Sequence, residues 1–304
     1  MMPVTDSSDA PTPLFNTLVV IGPGLIGASV LHRAQRDRTI ARRLIAVDIN
    51  PAFRERVREL GIADEVTGDA AAAVADADCV MLCVPVGAMG EVAATVIPAM
   101  KPGAILTDTG STKVAVIEAI RPFLRPDVPY VPAHPMAGTE YSGPDAGFAT
   151  LFDNRWCLLT PLPDSAPDSV EAITTLWQLC GARTRDMTPE HHDRVCAIVS
   201  HLPHLLAFTI CGTADDLADE TRSEVLEFAA SGFRDFTRIA ASDPIMWRDI
   251  FLSNREAILE MLSRFLEDAQ AMARAIRWGD SDYIVDRIER GRSIRRSLLE
   301  NRQA

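Results

Sequence analysis

Short apolar runs alternate with longer amphipathic stretches from Thr17 to about Met187, the pattern of successive β-α units on a parallel sheet. Most of these runs are nearly continuous in apolar residues, as expected for strands that helices cover on both faces. The weakest is Val128–Val131, because Pro129 cannot donate to a sheet ladder. A helix is predicted from about Asp168 to Leu179, and the predicted strands are Thr17–Ile21, Arg43–Asp48, Cys79–Val84, Ala104–Thr107, Val128–Val131, Trp156–Thr160 and Ala182–Asp186.

After Met187 the strand pattern ends and apolar residues recur at helical spacing. Thr188 as N-cap and Pro189 at the first helical position begin a helix that runs to about Gly212. One further helix opens at Ser242-Asp243-Pro244 and carries a long apolar stripe that needs a partner. The predicted further helices are Ser242 to Ile276 and Ser281 to Asn301.

A chain of 304 residues has the length of two domains. We predict an α/β Rossmann-type domain with a doubly wound, mostly parallel sheet over residues 16–187, followed by an all-helical domain over residues 188–304. Helical domains of this kind often complete their core across a dimer interface, so we expect a homodimer. Residues 1–15 are predicted to be a disordered lead-in, because they are rich in Ser, Asp, Thr and Pro. They also lack the basic start and the apolar stretch of a secretory signal.

The composition, 47% apolar and 24% charged, predicts a soluble cytoplasmic protein without a membrane-spanning helix, because no apolar run approaches the ~20 residues required. A net charge of −12 argues against nonspecific nucleic-acid binding and means that an anionic ligand needs local cations. The six cysteines lie in apolar segments without CxxC spacing, which favours buried, reduced thiols.

A glycine-rich turn follows the first predicted strand and precedes an amphipathic helix, the context in which such a turn binds a dinucleotide. Gly22 permits the tight turn, Gly24 lets the backbone approach the pyrophosphate, and Gly27 allows close packing of helix on strand. With Leu25 and Ile26 they complete the predicted pyrophosphate site, residues 22–27.

The end of the second predicted strand carries Asp48, 21 residues after Gly27, where an acid accepts hydrogen bonds from the adenosine ribose. A carboxylate there repels the extra phosphate of NADP, so we expect NAD, with Arg54 and Arg56 leaving NADP as the alternative. Val84 and Pro85 end the third predicted strand in the loop zone where ligands bind.

Two polar segments, around Ser111 and from His134 to Gly143, follow predicted strands and would lie on the rim that holds the nicotinamide. A histidine there can accept a proton as hydride leaves a hydroxyl-bearing carbon. The alternative for His134 is an ordinary loop residue.

The stretch GFRDFTRIAASDPIMW at residues 232–247 and SHLPH at residues 200–204, with HPMAGTE from His134, resemble the prephenate and arogenate dehydrogenases of tyrosine biosynthesis. This family oxidises a cyclohexadienol ring that carries a carboxylate: hydride passes to a nicotinamide, carbon dioxide leaves and the ring becomes aromatic. Many members have a C-terminal regulatory domain, which we do not expect here because the chain stops at Ala304.

The resemblance implies roles for individual residues. His134 would take the proton of the ring hydroxyl, with Ser111 as a second hydrogen-bonding partner and His204 as a further active-site histidine. Arg238 would hold the substrate carboxylate as a two-pronged donor. Glu140 would suit the ammonium of arogenate unless a neighbour such as Arg234 neutralises it. Asp235 is a further expected substrate-site residue, and the alternative for Arg238 is a surface ion pair with it. Trp247 either lines the pocket or packs between helices, and for His201 a core or supporting role is favoured.

Three other interpretations of these residues compete with this one. His201 and His204 lie about one helical turn apart, but no third metal ligand is evident and the family uses none, so no metal is expected. The β-hydroxyacid dehydrogenases usually place a lysine in the helical domain, and residues 189–304 contain none. A non-catalytic NAD sensor would give no reason for Ser111, His134, His204 and Arg238 to occur together.

Overall fold

The computed structural model describes residues 12–216, 224 and 227–300. Two compact units divide the chain, one ending at Arg255 and the other beginning at Glu256. Residues 1–11 of the predicted lead-in lie outside the described residues. The lead-in prediction extends too far at its other end, because Phe15 already belongs to the first strand and is only 7% exposed.

In the described part of the first unit, eight strands form one sheet in the spatial order β3-β2-β1-β4-β5-β6-β7-β8. Strands β1 to β6 pair in parallel, β7 is antiparallel to β6, and β8 is parallel to β7. The mostly parallel, doubly wound sheet is therefore confirmed. The strands are β1 Phe15–Ile21, β2 Ala41–Val47, β3 Glu65–Thr67, β4 Cys79–Leu82, β5 Ile105–Asp108, β6 Tyr130–Pro135, β7 Trp156–Leu159 and β8 Arg183–Asp186.

Two strands differ from the sequence prediction. β3 was missed, because three half-exposed residues are too few to show a hydrophobic pattern. β6 was predicted to end at Val131 but continues to Pro135, so His134 lies within a strand and not in a loop. Prolines did not stop β6 because its carbonyl groups still accept hydrogen bonds, as Pro132 does from the backbone N–H of Thr160 at 3.0 Å.

Helices cover both faces of the sheet. Alternate residues of β1 face opposite sides: Leu18 and Val20 belong to one core cluster, and Val19 and Ile21 belong to the other. The strand order reverses between β1 and β4, which opens the crevice where doubly wound sheets bind ligands. The helices up to β8 are α1 Leu25–Asp37, α2 Pro51–Leu60, α3 Ala70–Val74, α4 Met89–Val96, α5 Val114–Ile120 and α6 Pro167–Leu179.

After β8 the described chain is helical, as predicted. The Thr188 hydroxyl accepts a hydrogen bond from the His191 N–H, which caps the first of these helices as its sequence indicated. One turn of π-helix, Ala197–His201, interrupts the long helix and was not predicted. The helices of this part in the first unit are α7 Pro189–Cys196, α8 Leu202–Asp215, α9 Ser231–Thr237 and α10 Pro244–Ser253.

The stretch Pro189–Asp215 bears on the expectation that the chain has no membrane-spanning helix. It spans 27 residues with a mean hydropathy of 1.7 in its most apolar window, so by length and composition it could cross a membrane. Only 28% of that window is buried. The core helix of a soluble protein passes the same test.

The second unit contains two helices, α11 Arg255–Trp278 and α12 Ser281–Glu300. An ion pair at 2.8 Å joins Arg287 of α12 to Asp268 of α11. The sequence predicted one helix from Ser242 through Ile276, but the chain breaks at Asn254, where α10 ends. The Asn254 side chain donates to the Asp193 carbonyl at 2.8 Å, and this buried contact accompanies the break.

Candidate active site

The glycine turn lies between β1 and α1, and its three glycines meet different steric demands. Gly22 has a φ of +85°, which favours glycine, and a Cβ there would lie 2.9 Å from the Cys83 carbonyl oxygen. A Cβ on Gly27 would lie 2.6 Å from the Gly22 carbonyl oxygen. A Cβ on Gly24 would meet no described atom within 4 Å. Gly24 therefore borders open space at the N-terminus of α1.

The first turn of α1 begins with Leu25 and Ile26, whose side chains pack against the core. Their backbone N–H groups have no partner within the helix, because the first N–H groups of any α-helix lack a carbonyl one turn earlier. Together with the helix dipole these N–H groups can bind a phosphate. The sequence-predicted pyrophosphate site thus has the local geometry that anion binding requires.

Asp48 follows β2 at the same edge of the sheet. Its Oδ1 accepts the Asn50 N–H at 2.7 Å, and burial raises its pKa. Arg54 and Arg56, the arginines that kept NADP as an alternative cofactor, both bind other groups of the protein. Arg54 donates through Nη1 to the carbonyl oxygens of Asp48 and Ile49, and Arg56 forms ion pairs with Glu59 and Asp145, all within 3.0 Å.

Val84 and Pro85 follow β4, the strand next to β1. The Val84 Cγ1 atom lies 2.9 Å from the position of a Cβ on Gly22, so it closes the side of the turn that faces β4. Pro85 begins the 3-10 turn Val86–Ala88. All eight predicted cofactor-site residues therefore come from the ends of β1, β2 and β4 or from the first turn of α1.

His134 lies near the end of β6, with only 8% of its surface exposed. Its Nδ1 lies 2.8 Å from Nε2 of His192 on α7, and Nδ1 of His192 lies 2.8 Å from Oδ1 of Asp193. Burial lowers the pKa of His192 and lowers that of His134 well below the usual value, so both rings are neutral at neutral pH. These residues form a buried chain of three side chains, the Asp193–His192–His134 relay.

The relay fixes the protonation of each ring. A carboxylate can only accept, so Nδ1 of His192 carries the proton that it donates to Asp193. In a neutral ring Nε2 of His192 is then an acceptor, and Nδ1 of His134 must donate to it. Nε2 of His134 is left with a lone pair. The geometry thus makes His134 a proton acceptor at its remaining nitrogen.

Asp193 is held by more than the relay. Its Oδ1 accepts the Lys113 N–H at 2.7 Å, and its Oδ2 accepts the Val114 N–H at 3.0 Å, both at the start of α5. A carboxylate at a helix N-terminus gains from charge-assisted bonds and from the helix dipole. Asp193 therefore ties α7 to α5 and orients His192 at the same time.

A buried ion pair supports the backbone that carries His134. The Lys113 ammonium group, completely buried, contacts the Asp108 carboxylate and donates to the Ala133 carbonyl oxygen at 2.6 Å. Tyr130 donates to the other Asp108 oxygen at 2.8 Å. With Ala133 and Tyr130 as hydrogen-bonding neighbours, the buried charges are matched, and the residue before His134 is fixed in place.

Ser111 follows β5 and lies beside His201. Burial lowers the pKa of His201 to about 4, and the backbone carbonyl of Ser111 opposes this shift. Asn254 donates to Nδ1 of His201 at 3.0 Å. His201 is thus a buried ring whose Nδ1 is hydrogen-bonded to Asn254.

His204 and Trp247 are stacked, with ring centroids 3.7 Å apart and an interplanar angle of 22°. His204 donates through Nδ1 to the Ser200 carbonyl at 2.9 Å, which leaves its Nε2 as an acceptor. Burial lowers the His204 pKa, and the nearby charge of Arg238 lowers it further. Trp247 is only 6% exposed, so it combines packing with a position beside His204.

Arg238 forms an ion pair with Glu140 at 2.9 Å through Nη1. Its side chain is 59% exposed and that of Glu140 is 24% exposed. Asp235, on α9, is exposed and forms no ion pair with any residue that the structure describes. The alternative pairing of Arg238 with Asp235 is therefore not found. The arginine that neutralises Glu140 is Arg238, whereas the sequence suggested Arg234.

Sequence reasoning missed several residues of this site. His192 and Asp193 lie in the helix that begins at Thr188, and their only sequence signal was the adjacent pair His191-His192. Lys113 and Asp108 belong to a noted segment, but nothing in the sequence pairs them across a buried space. All four act through neighbours from elements distant in the chain.

Comparison with known families covers both halves of the chain. The model of the prephenate dehydrogenase nucleotide-binding domain matches residues 31–185, and that of the prephenate dehydrogenase dimerization domain matches residues 188–290. The chain belongs to the prephenate dehydrogenase family. The resemblance expected from residues 200–204 and 232–247 is thereby confirmed.

This member of the prephenate dehydrogenase family is similar to several relatives over nearly its whole length. The cyclohexadienyl dehydrogenase of Zymomonas mobilis is 40% identical, over 94% of this chain and 97% of the relative. A crystal structure of prephenate dehydrogenase from A. aeolicus with hydroxyphenyl propionate and NAD+ is 31% identical, with a TM-score of 0.86 over 93% of this chain and 98% of the other. A Synechocystis arogenate dehydrogenase structure is 25% identical, with a TM-score of 0.77 over 93% and 99%.

Proposed function

We propose that this chain is an NAD-dependent dehydrogenase that oxidatively decarboxylates prephenate, arogenate or both. The observation that carries the proposal is the buried Asp193–His192–His134 relay, which leaves a lone pair on Nε2 of His134. A dehydrogenase acting on a ring hydroxyl needs a base of this kind. The family membership of the chain and the names of its relatives specify the ring substrates.

The residues at the glycine turn fit a dinucleotide. The open space beside Gly24 and the free N–H groups of the first turn of α1 suit a pyrophosphate, and the Asp48 carboxylate suits ribose hydroxyls. Because Arg54 and Arg56 already bind other groups, they support NAD over NADP. When bound, NAD supplies the hydride acceptor.

His134 takes the hydroxyl proton on Nε2 as the ring is oxidised. Its positive charge is shared along the relay, because Nδ1 of His134 donates to His192 and Nδ1 of His192 donates to the Asp193 carboxylate. The low pKa of His134 keeps the ring unprotonated and ready at neutral pH. The relay therefore orients the base and stabilises its protonated form, as in other carboxylate-histidine pairs.

The substrate side of the site is formed by Arg238, His204, Trp247 and Ser111. Arg238 keeps Nη2 and Nε for a substrate carboxylate while Nη1 bonds Glu140. His204, stacked on Trp247, offers Nε2 as an acceptor near that cation. Ser111 adds a hydroxyl near the end of β5. Arg238 supplies the local cation that a chain of net charge −12 requires for an anionic substrate.

Glu140 bears on the choice between prephenate, which ends in a pyruvyl group, and arogenate, which ends in an amino acid. In this structure the Arg238 guanidinium neutralises its carboxylate, so Glu140 does not by itself favour the ammonium of arogenate. We therefore propose activity on prephenate and leave arogenate as the second substrate to be assayed.

The test is a two-by-two assay of prephenate or arogenate with NAD or NADP, following the reduced cofactor. We expect turnover with NAD. His134→Asn removes the base and lowers kcat by roughly 10²–10⁴-fold. His191→Asn, one residue before His192 and exposed, is the matched control and keeps its activity. Turnover in none of the four combinations would contradict the proposal and favour the sensor.

The chain is also proposed to form a homodimer. Its second family match is to a dimerization domain, and the helices of the matched region carry exposed apolar side chains. Four of these are Val199, Leu259, Ile276 and Ile288, each more than half exposed. Sedimentation that gives only monomer at micromolar concentration would contradict the dimer.

The domain boundary at residues 187 and 188 and the cytoplasmic location belong to the same proposal. The two family matches meet at this boundary, ending at residue 185 and beginning at residue 188. All six cysteines are free, which suits a reducing compartment. Expression of residues 1–187 alone, with NAD binding as the readout, tests the boundary.

A further inference from the structure

Three side chains that could ligate a metal converge at the proposed base, which is one of them. Nδ1 of His134, Nε2 of His192 and Sγ of Cys196 all lie within 4.8 Å of one another, and all three residues are buried. The three separations are 2.8 Å between the two nitrogens, 3.4 Å from Sγ to His192 and 3.7 Å from Sγ to His134. Cys196 follows His192 by one turn of α7, so the helix itself places both ligands on one face.

The triangle approaches the size of a tetrahedral zinc site. Zn–N bonds of about 2.0–2.1 Å and Zn–S bonds of about 2.3 Å place neighbouring ligand atoms roughly 3.3–3.6 Å apart. The two separations that involve Cys196 already lie near this range. The two nitrogens must move apart by roughly half an ångström, since a hydrogen bond now joins them.

The surroundings of His192 provide a second, independent indication. Its Nδ1 donates to the Asp193 carboxylate at 2.8 Å, the arrangement in which a zinc-ligating histidine is usually held. Asp193 is itself fixed by the N–H groups of Lys113 and Val114. The bond to Asp193 thus holds the His192 ring with its Nε2 facing the other two ligand atoms.

We propose that His134, His192 and Cys196 form an inhibitory site for Zn²⁺ or a similar borderline-soft divalent cation. The site rests on the residues of the proposed function, but its occupant would oppose that function. A donor set of two imidazoles and one thiolate is of the kind that selects zinc over magnesium or calcium. Nothing in the proposed reaction uses the Cys196 thiol.

Metal binding would switch the tautomer of His134. The Cys196 thiol loses its proton to solvent and becomes the thiolate ligand. Nδ1 of His134 gives up its proton to bind the metal, and the neutral ring then carries its proton on Nε2. Nε2 can no longer accept the proton of the substrate hydroxyl. The metal therefore removes the base while leaving Arg238 and His204 unchanged.

Cobalt provides a readout that does not depend on catalysis. Full-length protein treated with chelator is titrated with Co²⁺, and we expect thiolate-to-cobalt charge-transfer bands and tetrahedral d–d bands that Zn²⁺ abolishes. Cys196→Ser loses the charge-transfer bands. Cys180→Ser is the matched control, because Cys180 is also a buried free thiol but lies at the end of α6.

Activity is measured after preincubation with Zn²⁺. For the unmodified enzyme we expect kcat to fall with KM unchanged, and a chelator to restore it. Cys196→Ser should keep its activity without metal and become at least about 100-fold less sensitive to Zn²⁺, since even loss of an outer partner weakens metal sites 10–100-fold. Cys196→Ala serves as the second variant if the serine variant fails to fold.

Two results would overturn the site: Co²⁺ spectra without a thiolate band in the unmodified protein, or equal Zn²⁺ sensitivity in the Cys196 and Cys180 variants. If neither Cys196 variant folds, His134→Asn decides, because it removes a ligand and must weaken Co²⁺ binding. Failure of the proposed function is separate: it appears as no turnover in chelated enzyme whose cobalt spectrum is as expected.

Discussion

Asp193→Asn separates the two tasks of the relay carboxylate, orienting His192 and capping α5. In the native protein three donors converge on the carboxylate: Nδ1 of His192 at 2.8 Å, the Lys113 N–H at 2.7 Å and the Val114 N–H at 3.0 Å. An asparagine side chain has one oxygen and one NH₂ group. If its oxygen keeps the bonds to His192 and Lys113, the NH₂ group faces the Val114 N–H, where donor meets donor.

The stability effect follows from these contacts. One charge-assisted hydrogen bond is lost, which corresponds to about 1.5–3 kcal/mol. For a chain of this size each kcal/mol lowers Tm by roughly 2–4 °C, so we expect Tm to fall by about 3–12 °C. The catalytic effect is larger. An amide does not stabilise a protonated histidine pair as a carboxylate does, and we expect kcat to fall by roughly 10²–10⁴-fold.

The assay is steady-state production of reduced cofactor from prephenate at a temperature well below the Tm of the variant, with circular dichroism to verify the fold. Asp168→Asn is the matched control, because Asp168 is an exposed carboxylate in the first turn of α6 and has no histidine partner. If Asp193→Asn lowers Tm but kcat stays within about twofold of the unmodified enzyme, Asp193 is only a helix cap and the relay argument is wrong.

Three further predictions follow from the same structure. Gly27→Ala should lower the free energy of unfolding by about 1–3 kcal/mol, since its Cβ would lie 2.6 Å from the Gly22 carbonyl oxygen. Gly24→Ala should fold normally but bind NAD more weakly. Arg238→Gln should raise the substrate KM by about 10–100-fold, equivalent to about 1.5–3 kcal/mol, with a smaller effect on kcat, and an unchanged KM would contradict its role. Burial lowers the His201 pKa from 6.5 to about 4, so between these values the unfolded state binds more protons and stability should fall as the pH drops, by about 3 kcal/mol in total. Urea unfolding across this range should show a smaller pH slope in His201→Asn but not in His191→Asn.

Much of the sheet could be predicted from the sequence, because parallel strands covered on both faces are short apolar runs. The C-terminal ends of β1, β2 and β4 were predicted to within two residues. The glycine turn also followed from the sequence, since only glycine readily adopts the positive φ of Gly22. β6 was the exception. Its prolines suggested an early end, but the Pro132 carbonyl still accepts the Thr160 N–H, and β6 pairs with β7 as far as Pro135.

The candidate site divides in the same way. Ser111, His134, His204 and Arg238 could be named because polar residues interrupt apolar surroundings and form recognisable motifs. His192 and Asp193 could not. Their significance depends on α7 lying against β6 and α5, and no local pattern encodes that contact.

The sequence by itself determined the class of sheet, the pyrophosphate turn and the family, since these depend on local periodicity, on glycine and on contiguous motifs. Only the tertiary structure decided which nitrogen of His134 is free to accept a proton. That choice depends on a chain of hydrogen bonds that starts at the Asp193 carboxylate and spans elements from three parts of the chain. Long-range hydrogen bonds of this kind form only when folding brings their partners together.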